Sequence, residues 1–95
     1  MPSAVRSPID VSTGHGCFPS KKSISGSPNV IINGYQSHRV GDPWEIHCCG
    51  PVCHDSIQDT GSPNVLVNGK NKARVGDILS CGGKDKTGSP NVIVN

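Results

Sequence analysis

Gly26-Ser27-Pro28-Asn29-Val30-Ile31-Ile32-Asn33-Gly34 recurs as Gly61-Ser62-Pro63-Asn64-Val65-Leu66-Val67-Asn68-Gly69, and again as Gly88-Ser89-Pro90-Asn91-Val92-Ile93-Val94-Asn95. Self-similarity at this spacing marks a repeat architecture. The first two copies run on into a second shared phrase, His38-Arg39-Val40-Gly41-Asp42 and Ala73-Arg74-Val75-Gly76-Asp77. A divergent version of that phrase, Ala4-Val5-Arg6-Ser7-Pro8-Ile9-Asp10, stands at the other end of the chain. The sequence therefore reads as a circularly cut threefold repeat. This predicts that the N-terminal strand completes the hairpin begun by the C-terminal one, and that one polypeptide has pseudo-threefold symmetry.

Each unit reads as a β-hairpin. Side chains alternate between faces along a strand, so residues 30 and 32 point one way and 31 the other. Asn33-Gly34 and Asn68-Gly69 are tight-turn signals, because a type I′ turn needs φ > 0 at both central residues. Gly-Ser-Pro before each strand suits a sharp corner at an edge, where the missing proline N–H costs no ladder bond. Twelve Gly and eight Pro interrupt the chain too often for helices. The fold class expected is all-β, a single small domain over residues 1–95, conical or triangular, made of three hairpin repeats.

The remaining composition limits the function. A 95-residue chain with one Phe18, one Tyr35 and one Trp44 lacks an aromatic core, and its short aliphatics make a core too thin to stabilise it by burial alone. The net charge of +2 is weak. Lys21 and Lys22, and the Lys70, Lys72, Arg74 group, read as solvated surface, because nucleic-acid binding would need a denser basic stripe. No apolar stretch approaches the ~20 residues that cross a bilayer, and the N-terminus has no signal-peptide apolar region. The expectation is synthesis in the cytoplasm without a cleaved signal.

The histidines and cysteines fall in register with the repeat. His15 lies five residues after Asp10, and His47 five after Asp42. His54 lies seven before Gly61, and Cys81 seven before Gly88. Related loops of a threefold object converge on its axis, so His15, His47, His54 and Cys81 are expected to meet there. Three imidazoles and one thiolate suit tetrahedral Zn²⁺ with no open position, the mark of a structural site near the tip. Iron is the alternative metal. A bound metal could supply on the order of 10 kcal/mol of folding free energy to a chain with so thin a core.

The other candidates stay open at this level. His47-Cys48-Cys49-Gly50-Pro51-Val52-Cys53-His54 also reads as a local metal knot. The rival site would use Cys48 or Cys49, Cys53, Cys81 and one His. A disulfide, for example Cys17 with Cys53, cannot be assigned from spacing. Cys17 and Cys49 also read as small buried residues. His38, which takes the slot of Ala73, reads as a surface side chain.

With the repeat and these ligands assembled, the sequence resembles the PAAR-repeat proteins. The matching residues are Lys72-Ala73-Arg74-Val75-Gly76-Asp77, Ser37-His38-Arg39-Val40-Gly41-Asp42, Thr13-Gly14-His15-Gly16 and Cys81-Gly82-Gly83, with the Gly-Ser-Pro-Asn strands. The name-giving proline is absent from both phrases. The resemblance implies a conical cap, one monomer per trimeric β-helical spike, which sharpens the spike for piercing a target membrane when a sheath contracts. The setting is a type VI secretion system or a contractile phage tail, where the tip is assembled at the spike or baseplate and delivered outward on contraction. It implies zinc held by His15, His47, His54 and Cys81. It also implies that a chain without extensions carries no fused toxin. The face that docks on the spike is not assigned.

Two other functions compete with this reading. Catalysis by a Cys–His pair such as Cys53-His54 is disfavoured, because neighbours on a strand point to opposite faces. No phosphate loop or nucleophile elbow is present, so no enzyme is expected. A metal-binding adaptor that attaches effector cargo to the spike would share the fold and differ in its partner.

Overall fold

The structure is a computed structural model and describes residues 2–95. It is all-β, without a helix among those residues. The strands are β1 (Arg6–Ser7), β2 (Ile31–Ile32), β3 (Tyr35–Ser37), β4 (Pro43–Cys49), β5 (Val52–Ile57), β6 (Leu66–Val67) and β7 (Lys70–Asn71). β2 with β3 and β6 with β7 form two of the three hairpins. Their turns place Asn33 at φ 53° and Gly34 at 82°, and Asn68 at 54° and Gly69 at 78°. Both central residues are thus left-handed, as the Asn-Gly pairs require.

The third hairpin is made by the two chain ends. Ser3 pairs with Ile93, Ala4 N–H donates to Val92 O at 2.9 Å, and Val94 N–H donates to Pro2 O at 2.8 Å. Two hydrogen bonds recur in every unit. Ser37, Lys72 and Ala4 donate at 2.9 Å to Val30, Val65 and Val92, and they accept at 2.8 Å from Ser27, Ser62 and Ser89.

The units then close on one another in rings. Arg6 pairs with Ser37, Arg39 with Lys72, and Arg74 with Ala4. Val5 N–H donates to Ala73 O, Ala73 N–H to His38 O, and His38 N–H to Val5 O. Three such bonds running head to tail can close only around an axis. A further ring pairs Ser12 with Asp85, Trp44 with Ser23, and Leu79 with Gln58. At the rim, the hydroxyls of Ser27, Ser62 and Ser89 donate to Asn68 Oδ1, the Asn95 carbonyl and Asn33 Oδ1, each in a neighbouring unit. The molecule is elongated, 37 × 24 × 22 Å.

Each Arg–Asp phrase forms the same small loop. The Asp carboxylate accepts from the backbone N–H and guanidinium of its own Arg, through Arg6–Asp10, Arg39–Asp42 and Arg74–Asp77. The N-terminal copy does this with one residue more and a cis Ser7–Pro8 bond.

Several sequence expectations are corrected here. Trp44 is buried and centres the core with Val5, Ala73 and Leu79, so the core does have an aromatic. His38 is not a surface residue but fully buried. Its ring meets Trp44 edge-on at 5.0 Å, and its Nδ1 lies 2.7 Å from Ser7 Oγ and 3.0 Å from Ser25 O. Burial pushes the His38 imidazole down to about 4. Lys21 and Lys72 are also buried. Lys72 sits where its counterparts are Ser37 and Ala4, and its ammonium donates to all three ring carbonyls: Val5 O at 2.7 Å, Ala73 O at 2.9 Å and His38 O at 3.1 Å.

Below that ring one end of the molecule is hollow. Val30, Ile32, Val65, Val67, Val92 and Val94 line a cavity of about 530 Å³, and Lys72 closes its inner end. The six aliphatics face this one space, two from each unit. The intervening Ile31, Leu66 and Ile93 are more than half exposed.

Candidate metal centre

Three arms rise from the Arg–Asp loops on the side away from the hollow, over residues 11–22, 43–57 and 78–84. The middle arm is the longest and forms the β4–β5 ribbon. Its register shifts between Trp44 and His47, so two outward residues, Glu45 and Ile46, stand between two buried ones. This bulge re-aims the strand. Trp44 faces the core and His47 faces the axis, although they stand three positions apart on the strand. Beyond the bulge the ladder is regular, with His47 opposite His54, Cys48 opposite Cys53, and Cys49 opposite Val52.

His15 enters from the first arm, at a tight turn closed by reciprocal backbone bonds with Phe18, of 3.0 and 2.9 Å. Cys81 enters from the third, where Leu79 N–H donates to Gly83 O at 2.8 Å and Gly82 N–H to Leu79 O at 3.0 Å. The ligand atoms of His15, His47, His54 and Cys81 all lie within 4.8 Å of one another. The Phe18 ring stacks on His54 at 4.3 Å and covers His47 at 4.8 Å.

The donor set fits a tetrahedral cation. Ligand atoms at about 2.0–2.3 Å from such an ion stand roughly 3.3–3.8 Å apart, so a small adjustment suffices. His15 Nε2 is buried without a hydrogen-bond partner, a cost that coordination would remove. His47 Nδ1 lies 2.8 Å from Pro19 O, which fixes that nitrogen as the N–H and leaves Nε2 with its lone pair. Nε2 of His47 lies 2.6 Å from Nε2 of His54. Desolvation, with His47, His15 and Lys21 nearby, holds the His54 imidazole below its ordinary range, which favours the neutral ligand form. Burial raises the Cys81 thiol, but the Gly83 N–H, the Ser56 hydroxyl and the Lys21 ammonium outweigh it, so the thiol lies below its usual value. A thiolate is the form that binds metal.

The repeat register singles out these four clustered residues but not the groups that support them. Lys21, Ser56 and Gly83 each stand five residues before a Gly-Ser-Pro corner, at equivalent positions, and all three bear on the Cys81 sulfur. Lys21 also donates to Ser56. Pro19 takes the register slot of His54 and Cys81 and serves through its carbonyl. The signal was therefore present in the repeat register, at positions whose side chains are not ligands.

The cysteine expectations are corrected as well. The pairs are Cys17–Cys49 and Cys48–Cys53, with Cα atoms 5.4 and 4.1 Å apart, not Cys17–Cys53. Cys17 is exposed and Cys49 half-buried, so neither is a small core residue. Cys81 is the free cysteine. With Cys48, Cys49 and Cys53 paired, the thiolate-rich rival site is not formed in this structure.

A comparison with protein families matches residues 13–84 to the PAAR motif, which covers more than half of the chain. A comparison with curated proteins finds no match.

Proposed function

This chain belongs to the PAAR-motif family, and from that membership we propose that it is the metal-stapled tip of a contractile injection spike. The family match supports association with a spike, and a structural role more than a catalytic one. The finer reading is that one copy caps a trimeric β-helical spike and sharpens it, with His15, His47, His54 and Cys81 holding one structural Zn²⁺.

The observation that carries this reading is the set of rings closed by one polypeptide around an axis whose two ends differ. At one end, three near-equivalent units surround an open apolar hollow. A single chain with three similar edges can meet three identical chains, and docking would remove the exposed aliphatics from water. At the other end, three arms converge on a His₃Cys group. A metal there would tie together segments that are remote in sequence. When bound, the ion supplies closed coordination and no reactive position. No helix among the described residues is long and apolar enough to cross a membrane, and piercing in this reading is mechanical.

The test is to mix the purified chain with a trimeric β-helical spike and measure complex mass by light scattering, beside Val30→Asp and Val65→Asp at the hollow. One chain per trimer, lost in both variants while their melting is kept, is the expected result. A wild-type chain that fails to bind, or binds three to a trimer, would reject the capping geometry. Metal analysis on the same samples should give one zinc per chain, absent from His15→Ala and Cys81→Ala.

A further inference from the structure

Side chains alternate between faces along the β4–β5 ribbon. Past the bulge, His47 and Cys49 of β4 and His54 of β5 therefore share the face that meets His15, while Cys48 and Cys53 face away. The two disulfides lie on opposite sides of the ribbon in consequence. Cys48–Cys53 is a cross-strand pair on the outer side. Cys17–Cys49 lies on the inner side, and Cys17 is only two residues from His15.

We propose that the Cys17–Cys49 bond selects the donor set of the metal centre. The inference rests on the metal reading given above. With the bond closed, Cys81 is the only thiolate able to join the three imidazoles. With it open, two more thiols stand on the imidazole face. Thiolates are strong ligands for zinc, so coordination then moves toward a thiolate-rich set at the expense of imidazole. The Cys48–Cys53 bond has no such effect, because opening it returns its thiols to the far side.

The bond forms by thiol–disulfide exchange with a low-molecular-weight disulfide such as oxidised glutathione. One cysteine thiolate attacks the oxidant's S–S bond and displaces the first glutathione thiolate. The second cysteine then attacks the mixed disulfide and displaces the other glutathione. Two electrons pass to the oxidant, and the two cysteine protons end on the two glutathione thiols. Cys17 is exposed, so the oxidant can reach it. A reducing interior would hold the centre in its thiolate-rich form, and an oxidising space outside the cell would fix it as His₃Cys.

Cobalt(II) tests this, because its sulfur-to-metal charge-transfer absorption grows with the number of bound thiolates. The full chain is stripped of metal and loaded with Co²⁺ after oxidation by glutathione disulfide, and separately after phosphine reduction under anaerobic conditions. Oxidised wild type should show the intensity of one thiolate, and the reduced chain about two- to threefold more. A Cys17→Ser/Cys49→Ser chain should give the one-thiolate spectrum in both states. A Cys48→Ser/Cys53→Ser chain should keep the wild-type difference. Cobalt bound with the same spectrum in both states of the wild type overturns the redox selection and leaves the metal centre standing. No cobalt bound in either state overturns both.

Discussion

Lys72 reaches the axis because its two counterparts, Ala4 and Ser37, are small enough to leave room for one long side chain. Burial pulls its ammonium down to about 8, and the three carbonyls keep it charged at neutral pH, since a neutral amine has only two hydrogens to offer them. Asp85 is the opposite case. Gln58 donates to its Oδ2 at 2.8 Å, Oδ1 is buried without a partner, and burial raises the carboxyl from 3.8 to about 8. The folded chain therefore holds a proton on Asp85 that the unfolded chain has released. The stability this gives is full below about pH 4 and is lost as the pH rises through about 8. His38, lowered from 6.5 to about 4, acts in the other direction between those values, and stability from it rises with pH until about 6.5. Lys72 begins to contribute a rise only above about 8. Between pH 6.5 and 8 the Asp85 slope is thus unopposed by these groups. Urea unfolding of the metal-loaded chain should show wild type losing about 1–2 kcal/mol across that interval relative to Asp85→Asn. Parallel slopes for the two proteins would mean that Asp85 is already ionised at pH 6.5.

The hairpins and corners were legible in the sequence because their chemistry is local. Asn-Gly fixes each turn, and the repeated Gly-Ser-Pro-Asn fixes each corner, where the Ser27, Ser62 and Ser89 hydroxyls accept the N–H of Val30, Val65 and Val92. The bulge was not legible. A regular period of two would put Trp44 and His47 on opposite faces, and only tertiary pairing shows Glu45 and Ile46 both turned outward. The grouping of His15, His47, His54 and Cys81 was nevertheless legible, since register with the repeat places them independently of strand period. His38 and Lys72 were misread for a related reason. Their residue types suggest solvent, but their equivalents Val5, Ala73, Ala4 and Ser37 line the axis, where threefold geometry buries whatever stands there. The corner glycines follow from the same closeness. A Cβ on Gly61 would lie 2.8 Å from Lys72 O and 3.0 Å from Val40 Cγ2, with backbone on one side and a neighbouring unit on the other. Gly61→Ala is therefore expected to cost about 1–3 kcal/mol, against under ~0.5 kcal/mol for an Asp59→Ala control at an exposed site. Equal melting temperatures for the two variants would show that the corner can yield.

The molecule as a whole is a ring in which the chain happens to begin and end. The third hairpin is continuous in its hydrogen bonds, from Ala4 N–H to Val92 O and from Val94 N–H to Pro2 O, but is not continuous in covalent structure. In repeat register, Asn95 stands where Asn33 and Asn68 stand, and Pro2 where Tyr35 and Lys70 stand. One glycine between Asn95 and Pro2 would restore the Asn-Gly turn that the other two hairpins have. Conversely, the chain could be opened between Asn68 and Gly69, whose turn is solvent-exposed. The three arms, the carbonyl ring and the hollow are untouched by both changes. Closure entropy depends only weakly on where such a loop is cut, and exposed turns are the sites where permutation is best tolerated. A permuted chain starting at Gly69, joined through Asn95-Gly-Pro2 and ending at Asn68, should therefore fold with one zinc per chain. Its unfolding free energy should lie within about 1 kcal/mol of the parent. Circular dichroism melting and metal analysis of the permutant decide the matter. If the three units were unequal, with the join of the two ends serving as a hinge and not as a third equivalent hairpin, the permutant would melt early or lose its metal. The threefold account would then have to be given up in favour of two hairpins and a clasp.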